Sequence, residues 1–363
     1  MKILHVIESG GFYGAERVLV ELILGLKTLG HDSIVLSIGR MENTASALEQ
    51  ILTDYKIEYI PLHIDLKQSL QINRQVIACV KQRNCDLVHS HSYKSNILLA
   101  LNHHRPVPFC STLHGYVVAK RFSRMWLYQW LDKFALHYMQ HVFLVSKPML
   151  QLTSISKLKA SQYSVIENGI GGYQSSQSVL DSCVLNFLHD KQHKYIAVGR
   201  LALEKGFELL IRVFAKTVKE KNSAVLVIFG DGQEKLHLQT LITELQMQKH
   251  ILLYGFCSNV THYFKHFDHF VMPSLTEGAP ISLLEAMSAE MNCIATKVGA
   301  IPQMLDDGKA GYLISRNSAS ELEKQLKGEL RHKGKEAKQQ VTAHYTHLQM
   351  AKAYLSTYQN LLS

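Results

Sequence analysis

Residues 194–232 read KYIAVGRLALEKGFELLIRVFAKTVKEKNSAVLVIFGDG. An apolar run of strand length, KYIAVGR (194–200), enters a short polar loop, a helix follows to about residue 221, and a second strand-like run, AVLVIFGDG, occupies 224–232. The unit recurs downstream in HILLYGF (250–256), HFVMPSL (269–275) and NCIATKVG (292–299). The first half of the chain has the same rhythm. KILHVI (2–7) runs into a glycine loop and the helix AERVLVELILGLKTLG, which ends at Gly30. SIVLSIG (33–39), IEYIPL (57–62), DLVHSHS (86–92), PFCSTLHG (108–115), HVFLVS (141–146) and YSVIENGI (163–170) continue it. Strands alternating with helices imply parallel, doubly wound sheets. The α/β pattern is interrupted by the polar GGYQSSQS and then restarts. Two Rossmann-like domains facing across a cleft are therefore expected. The first spans 1–170, followed by a linker over 171–192 and a second domain over 193–345. A C-terminal helix over 346–363 is expected to pack back on the first domain, and SASE (318–321) caps a late helix of the second.

At 363 residues the chain is too long for one ordinary core and suits two domains. With 19% charged and 47% hydrophobic residues it has a globular composition. A net charge of +9 favours anionic partners such as nucleotides or acidic membranes. No block of five basic residues and no nucleic-acid motif occurs, so nucleic acid ranks last among these partners and none is expected. The six cysteines are scattered without a CxxC pair, which suits reduced thiols in a cytoplasmic protein. The start MKILHVIESGG lacks the apolar length of a signal peptide, and no apolar run reaches the length of a membrane span.

Ligands of such sheets bind beyond the carboxyl ends of the strands. Gly10–Gly14, His91, His114, Arg200 and Glu277 all fall at or after expected strand ends. In TEGAPISLLEAM (276–287), Glu277 and Glu285 flank the start of a helix opened by Pro280. Helical side chains lean towards the N-terminus, so both carboxylates border a place where free N–H groups and the helix dipole favour an anion. Hydroxyls beside phosphate, as in a nucleotide sugar, fit that arrangement. Arg200 and Lys205, in VGRLALEKG, can both reach one diphosphate, the first with a fork and the second as a point charge. GGFYGAE (10–16) is spaced GGxxG rather than GxGxxG, and strand two lacks a ribose-binding acid, which argues against a nicotinamide cofactor. His262, His266 and His269 have helical spacing but no HExxH pattern, and no DxD occurs; no metal site and no cofactor are expected.

With these pieces in place the chain resembles a GT-B glycosyltransferase of family 4, a large retaining family. The likeness rests on YGAERVLVELILGLKTLGH, DLVHSH, TLHG and VIENGI in the first half. In the second half it rests on VGRLALEKG, FGDGQEKL, FDHFVMPSLTEGAPISLLEAM and KVGAIPQMLDDGKAGYLI. The resemblance implies that Glu277 contacts the transferred sugar and Glu285 the nucleotide ribose. Arg200 and Lys205 would neutralise the leaving diphosphate with backbone help from Gly278, Ala279, Ile281 and Ser282. His114 would face the sugar or the acceptor, and Gly14 would shape the first domain's side of the site. It further implies a UDP-sugar donor, no metal, and a glycan or lipid-linked acceptor in polysaccharide or lipopolysaccharide synthesis. Two departures stand out: Tyr13 precedes Gly14 where the family has a glycine pair, and Gly171 follows NGI where an Asp is common. A nucleotide-sugar epimerase or hydrolase of related fold, or a non-catalytic partner subunit, would share the frame.

KRFSRMWLYQWLDKFALHY (120–138) carries both tryptophans, Trp126 and Trp130, after the basic Lys120, Arg121 and Arg124. A basic helix with interfacial aromatics can lie on an anionic bilayer. The expectation is a protein of the cytoplasm attached to the inner membrane face by this helix, with Leu131, Phe134 and Tyr138 packed inward.

Overall fold

The computed structural model describes residues 1–8, 11–39, 46–63, 69–102, 105–115, 123–152, 154–172, 181–219 and 223–363, with the side chains of 69, 70 and 124 left aside. The chain divides into two compact units, Met1–Gly171 with Thr346–Ser363, and Gly172–Tyr345.

In the first unit seven strands form one sheet: β1 (Lys2–Glu8), β2 (Asp32–Gly39), β3 (Glu58–His63), β4 (Leu87–Ser90), β5 (Phe109–Leu113), β6 (His141–Leu144) and β7 (Tyr163–Val165). Their order is β3-β2-β1-β4-β5-β6-β7, and every pairing is parallel. The order reverses beside β1, the place where open α/β sheets bind ligands at their carboxyl edge. The run YSVIENGI supplies only three ladder residues; its end, Ile170, makes a single bridge to Thr346. There the C-terminal helix His347–Leu362 begins, its cap Thr346 accepting from the Gln349 amide. Met350, Ala351, Tyr354 and Tyr358, at helical steps, are buried in this unit. Gly25 sits inside the helix Gly14–Thr28, where glycine costs about 1 kcal/mol relative to alanine. A Cβ at Gly25 would lie 2.6 Å from the His347 carbonyl oxygen, so the glycine permits the close approach of the two helices.

The second unit has six parallel strands: β8 (His193–Val198), β9 (Ala224–Phe229), β10 (Ile251–Gly255), β11 (His269–Met272), β12 (Asn292–Thr296) and β13 (Tyr312–Ile314), ordered β10-β9-β8-β11-β12-β13. β13 was not legible from the sequence because three residues carry no periodicity. The helix Phe207–Val218 buries Leu210, Ile211 and Phe214 against Leu226, Ile228 and Ile294 of the sheet. Each such side chain contributes on the order of 2 kcal/mol by leaving water. The stretch read as linker carries the helix Ser182–Leu188, whose Val184 and Leu188 are buried. Its cap, Asp181, is tied to the second unit by Tyr254 and Tyr263.

Candidate active site

At the carboxyl edge of the second sheet two loops are bound together. The loop after β8 runs from Gly199 through a 3-10 turn, Leu203–Lys205, into the helix Phe207–Val218. The loop after β11 holds Ser274 and Glu277 and leads into the helix Ile281–Ser288. The Leu275 amide donates to the Glu204 carbonyl at 2.7 Å, fixing one loop on the other. Lys205 Nζ then lies 2.6 Å from Glu277 Oε1, which also accepts from Ser274 Oγ at 2.7 Å. With its side chain 9% exposed, Glu277 has its buried carboxylate oxygen satisfied by these two donors. Arg200 is half exposed and paired with Glu204 one turn on, so its guanidinium is held over the same loop.

A third loop closes the back of this site. Gly299 has φ 56°, and a Cβ there would fall 2.2 Å from the Glu277 carbonyl oxygen. The Gly278 carbonyl accepts from the Ala300 amide at 2.8 Å. The helix Ile281–Ser288 starts one residue later than expected, with Pro280 as its N-cap. The amides of Leu283 and Leu284 return to the Pro280 carbonyl, while those of Ile281 and Ser282 precede the first intrahelical bond. Glu285 is partly buried in the second turn. Glu204, Ser274 and Gly299 escaped the sequence reading. Only Gly299 left a signal there, as a glycine just past a strand end in KVGAIP.

In the first unit Gly14 opens its helix, with Tyr13 as the extended N-cap donating its amide to Glu16 Oε2. No atom lies within 4 Å of a Cβ built on Gly14, so nothing in the described chain demands glycine there. At Gly171 the reverse holds. A Cβ would lie 2.8 Å from His347 Nδ1, and that ring is paired with Glu21. A carboxylate, that of Glu21, thus stands 3.3 Å from where a Cβ at 171 would lie.

His114, just past β5, ends a chain of buried imidazoles. His114 Nε2 lies 3.1 Å from His91 Nδ1, His91 Nε2 3.0 Å from His5 Nδ1, and His5 Nε2 3.3 Å from Ser33 Oγ. His89, its ring tilted by 39° and centred 4.0 Å from that of His91, is held by Thr112 Oγ1 and by Tyr358 of the C-terminal helix. Burial pushes His5 down to about 3 and His114 to about 4. Burial and then the neighbouring imidazoles hold His89 and His91 well below their ordinary range, so the cluster is neutral. His5, His89 and His91 offer nitrogens within 4.8 Å of one another, the one candidate metal group among the described residues. Every ring nitrogen of the three already has a protein partner, which makes the cluster a hydrogen-bond network rather than an open chelate. Sequence reading passed over His5, although a polar residue inside the apolar KILHVI was a visible signal.

The amphipathic helix is Arg124–Leu136, capped by Ser123; Lys120 and Arg121 lie outside the described residues, as does the side chain of Arg124. The expectation for Phe134 and Tyr138 is corrected. Both are exposed, by 53% and 60%, and continue a stripe from Leu127 and Trp130. Trp126 and Leu131 are half-buried, and the inward face is taken by Asp132, Ala135 and Leu136. Asp132 accepts from Asn96 Nδ2 at 2.8 Å, and burial raises its carboxyl to about 7. An acid on the inner face uses up the stretch where an apolar side chain would have packed, and Phe134 and Tyr138 fall on the opposite side.

Two all-parallel Rossmann-like sheets, one in each unit, define a GT-B architecture. Residues 12–171 match the Glycosyltransferase Family 4 family, and residues 186–345 match Glycosyl transferases group 1. The chain belongs to the GT-B glycosyltransferases of family 4 type. It is 28% identical to the UDP-Gal:alpha-D-GlcNAc-diphosphoundecaprenol alpha-1,3-galactosyltransferase of Escherichia coli, over 73% of this chain and 74% of that one. It is 26% identical to the alpha-monoglucosyldiacylglycerol synthase of Acholeplasma laidlawii, over 86% and 83%. In fold it is similar to the Anabaena protein HepE, solved in complex with UDP-glucose, with a TM-score of 0.84 at 18% identity over 99% of this chain and 100% of that one.

Proposed function

We propose that this enzyme moves a hexosyl unit from a UDP-sugar to a lipid-linked or glycan acceptor in cell-surface polysaccharide or lipopolysaccharide synthesis, with retention of configuration and without a metal. The observation that carries the reading is the Lys205–Glu277 pair, held on two tied loops beside a helix N-terminus. It puts a cation for a diphosphate next to a carboxylate for sugar hydroxyls. UDP is favoured because the E. coli relative and the Anabaena complex are both named for UDP-sugars. A lipid acceptor is favoured because two relatives carry a lipid in their names.

In the reaction, the bond from the anomeric carbon to the diphosphate oxygen breaks, and the acceptor oxygen bonds to that carbon on the same face. The acceptor's proton passes to a diphosphate oxygen, and UDP leaves. Lys205 and Arg200 stabilise the charge that builds on the diphosphate, with the Gly278–Ala279 backbone and the Ile281 and Ser282 amides assisting. This electrostatic contribution is the largest expected in such a transfer. Those cations supply the positive charge that a divalent ion would otherwise provide. Glu277 holds the sugar, Glu285 the ribose hydroxyls, and His114 and Gly14 serve the sugar or acceptor from the first unit. The exposed Leu127–Trp130–Phe134–Tyr138 stripe would rest on an anionic inner membrane face, a reading supported by its run of exposed aromatic and apolar side chains.

The test is incubation with labelled UDP-sugars, with and without a membrane lipid extract. Label transferred to lipid only when the extract is present supports the reading. Free or epimerised sugar formed without an acceptor indicates the epimerase or hydrolase alternative. Neither turnover nor donor binding indicates a non-catalytic subunit.

A further inference from the structure

The imidazole chain rises through the first sheet from Ser33, near the start of β2, past His5 in β1 and His91 after β4, to His114 beyond β5. A neutral imidazole carries one proton, so each ring donates from one nitrogen and accepts at the other. Three rings joined nitrogen to nitrogen cannot choose their tautomers independently; only two arrangements leave every link with one proton. In one, His114 Nε2–H donates to His91, His91 Nε2–H to His5, and His5 Nε2–H to Ser33 Oγ, leaving a lone pair on His114 Nδ1. In the other every proton is reversed, Ser33 donates, and His114 Nδ1 carries the hydrogen. His114 Nδ1 is shielded from solvent and has no partner among the described residues. A buried donor without a partner is the more strongly avoided of the two defects.

We propose that Ser33, His5 and His91 are positioning residues that lock His114 as its Nε2–H tautomer, so that His114 Nδ1 stands as an acceptor for a substrate hydroxyl. This inference rests on the reading above, in which His114 faces the sugar or the acceptor. Three features support it. The links are all 3.3 Å or shorter. Tilted ring contact of His89 with His91, with His89 itself anchored by Thr112 and Tyr358, holds the middle ring. The chain also ends on a hydroxyl oxygen, which accepts the His5 Nε2–H and so satisfies the last donor of the Nε2–H arrangement. The role is orientation: no net proton crosses the chain, and the acceptor's proton still leaves on the diphosphate.

Nitrogen-15 NMR of the full chain with labelled histidine reads the tautomer directly, with His114 assigned through His114→Gln. The wild type is expected to show His114 protonated on Nε2. Ser33→Ala removes the acceptor at the far end, so either arrangement then leaves one N–H without a partner, at His5 Nε2 or at His114 Nδ1; the preference is lost, and His114 shifts from the Nε2–H pattern towards a mixture of both tautomers. Ser33 does not touch His114, so a purely structural role for the serine would leave the His114 signals unmoved. Introducing His91→Phe into the Ser33→Ala chain cuts the relay, and the serine change must then have no effect on His114. With the donor and acceptor in hand, Ser33→Ala should lower kcat about three- to tenfold with donor KM nearly unchanged. A wild-type His114 protonated on Nδ1, or His114 signals unaltered by Ser33→Ala, overturns the proposal even if His91→Phe fails to fold. A His114 tautomer shift on Ser33→Ala in a protein that transfers no sugar would leave the relay standing and sink the transferase reading of His114 instead.

Discussion

Lys205 Nζ lies 2.6 Å from Glu277 Oε1 across 72 residues of chain, and both side chains are largely shielded from water. In the proposed function, this pair is what a diphosphate and a sugar would share. Lys205→Ala and Glu277→Ala should each lower turnover by about 100- to 1,000-fold, the range for losing one positioned electrostatic group. Because the two act as a unit, the double variant should be little worse than the poorer single one. Steady-state kinetics decide it: near-normal turnover in either variant removes the pair from the mechanism. Arg200→Ala should lose activity in the same range while folding normally, since its side chain is half exposed.

The two carboxylates should separate kinetically. Glu285→Ala is expected to raise donor KM more than it lowers kcat, because ribose contacts persist in the ground and transition states alike. Glu277→Ala is expected to do the opposite. The product's anomeric configuration by NMR should match the donor's, and activity should survive EDTA. An inverted product, or EDTA loss restored by manganese, contradicts the proposed mechanism.

Gly299 tests the back of the site. Its φ of 56° and the 2.2 Å approach of its absent Cβ to the Glu277 carbonyl leave no room for a methyl group. Gly299→Ala should cost on the order of 1–3 kcal/mol locally and displace the 277–278 backbone. The expected readout is weaker UDP binding by calorimetry, and unchanged affinity would show that the loop adapts.

Acid should loosen the first unit. His5, His89, His91 and His114 are held below their ordinary range by burial, so between about pH 6.5 and 4 the unfolded chain binds more protons than the folded one. Their contribution is present above pH 6.5 and lost as pH falls through that window, by up to about 1.4 kcal/mol per pH unit per proton. Asp132 works the other way: raised to about 7 by burial, it contributes stability below the ordinary carboxylate range that is lost as pH rises through 7. Four histidines outweigh one aspartate, so the net effect of acid is destabilising. Hydrogen exchange at pH 7 and pH 5 should show β1, β4 and β5 losing protection on acidification. Protection that rises or stays constant would mean the imidazoles are not buried neutral.

Vesicle co-sedimentation tests the exposed stripe. Binding to anionic but not neutral vesicles is expected, weakened when Lys120, Arg121 and Arg124 become Ser, each cation contributing about 1 kcal/mol near the surface. Trp130→Ser with Phe134→Ser should weaken it further, since both rings are exposed and packed edge to face at 4.6 Å. No binding at low salt would refute membrane attachment.

The sequence by itself determined the two parallel sheets, because a buried strand followed by an amphipathic helix is a local pattern that survives without knowledge of neighbours. It also placed Arg200 and Glu277 at strand ends, Lys205 in the loop after Arg200 and Glu285 in the helix after Glu277, where residue type and spacing carry the signal. Tertiary structure alone decided which of them meet. Lys205 joins Glu277 while Arg200 turns to Glu204, since the Leu275–Glu204 backbone bond sets the register of two loops distant in sequence. It also decided that Phe134 and Tyr138 face outward, because the buried side of their helix is fixed by the Asp132–Asn96 contact with a neighbouring helix. The histidine chain belongs wholly to the tertiary level. Ser33, His5, His91 and His114 come from four separate segments, and only the parallel register that sets His5 beside His89 brings them into one line.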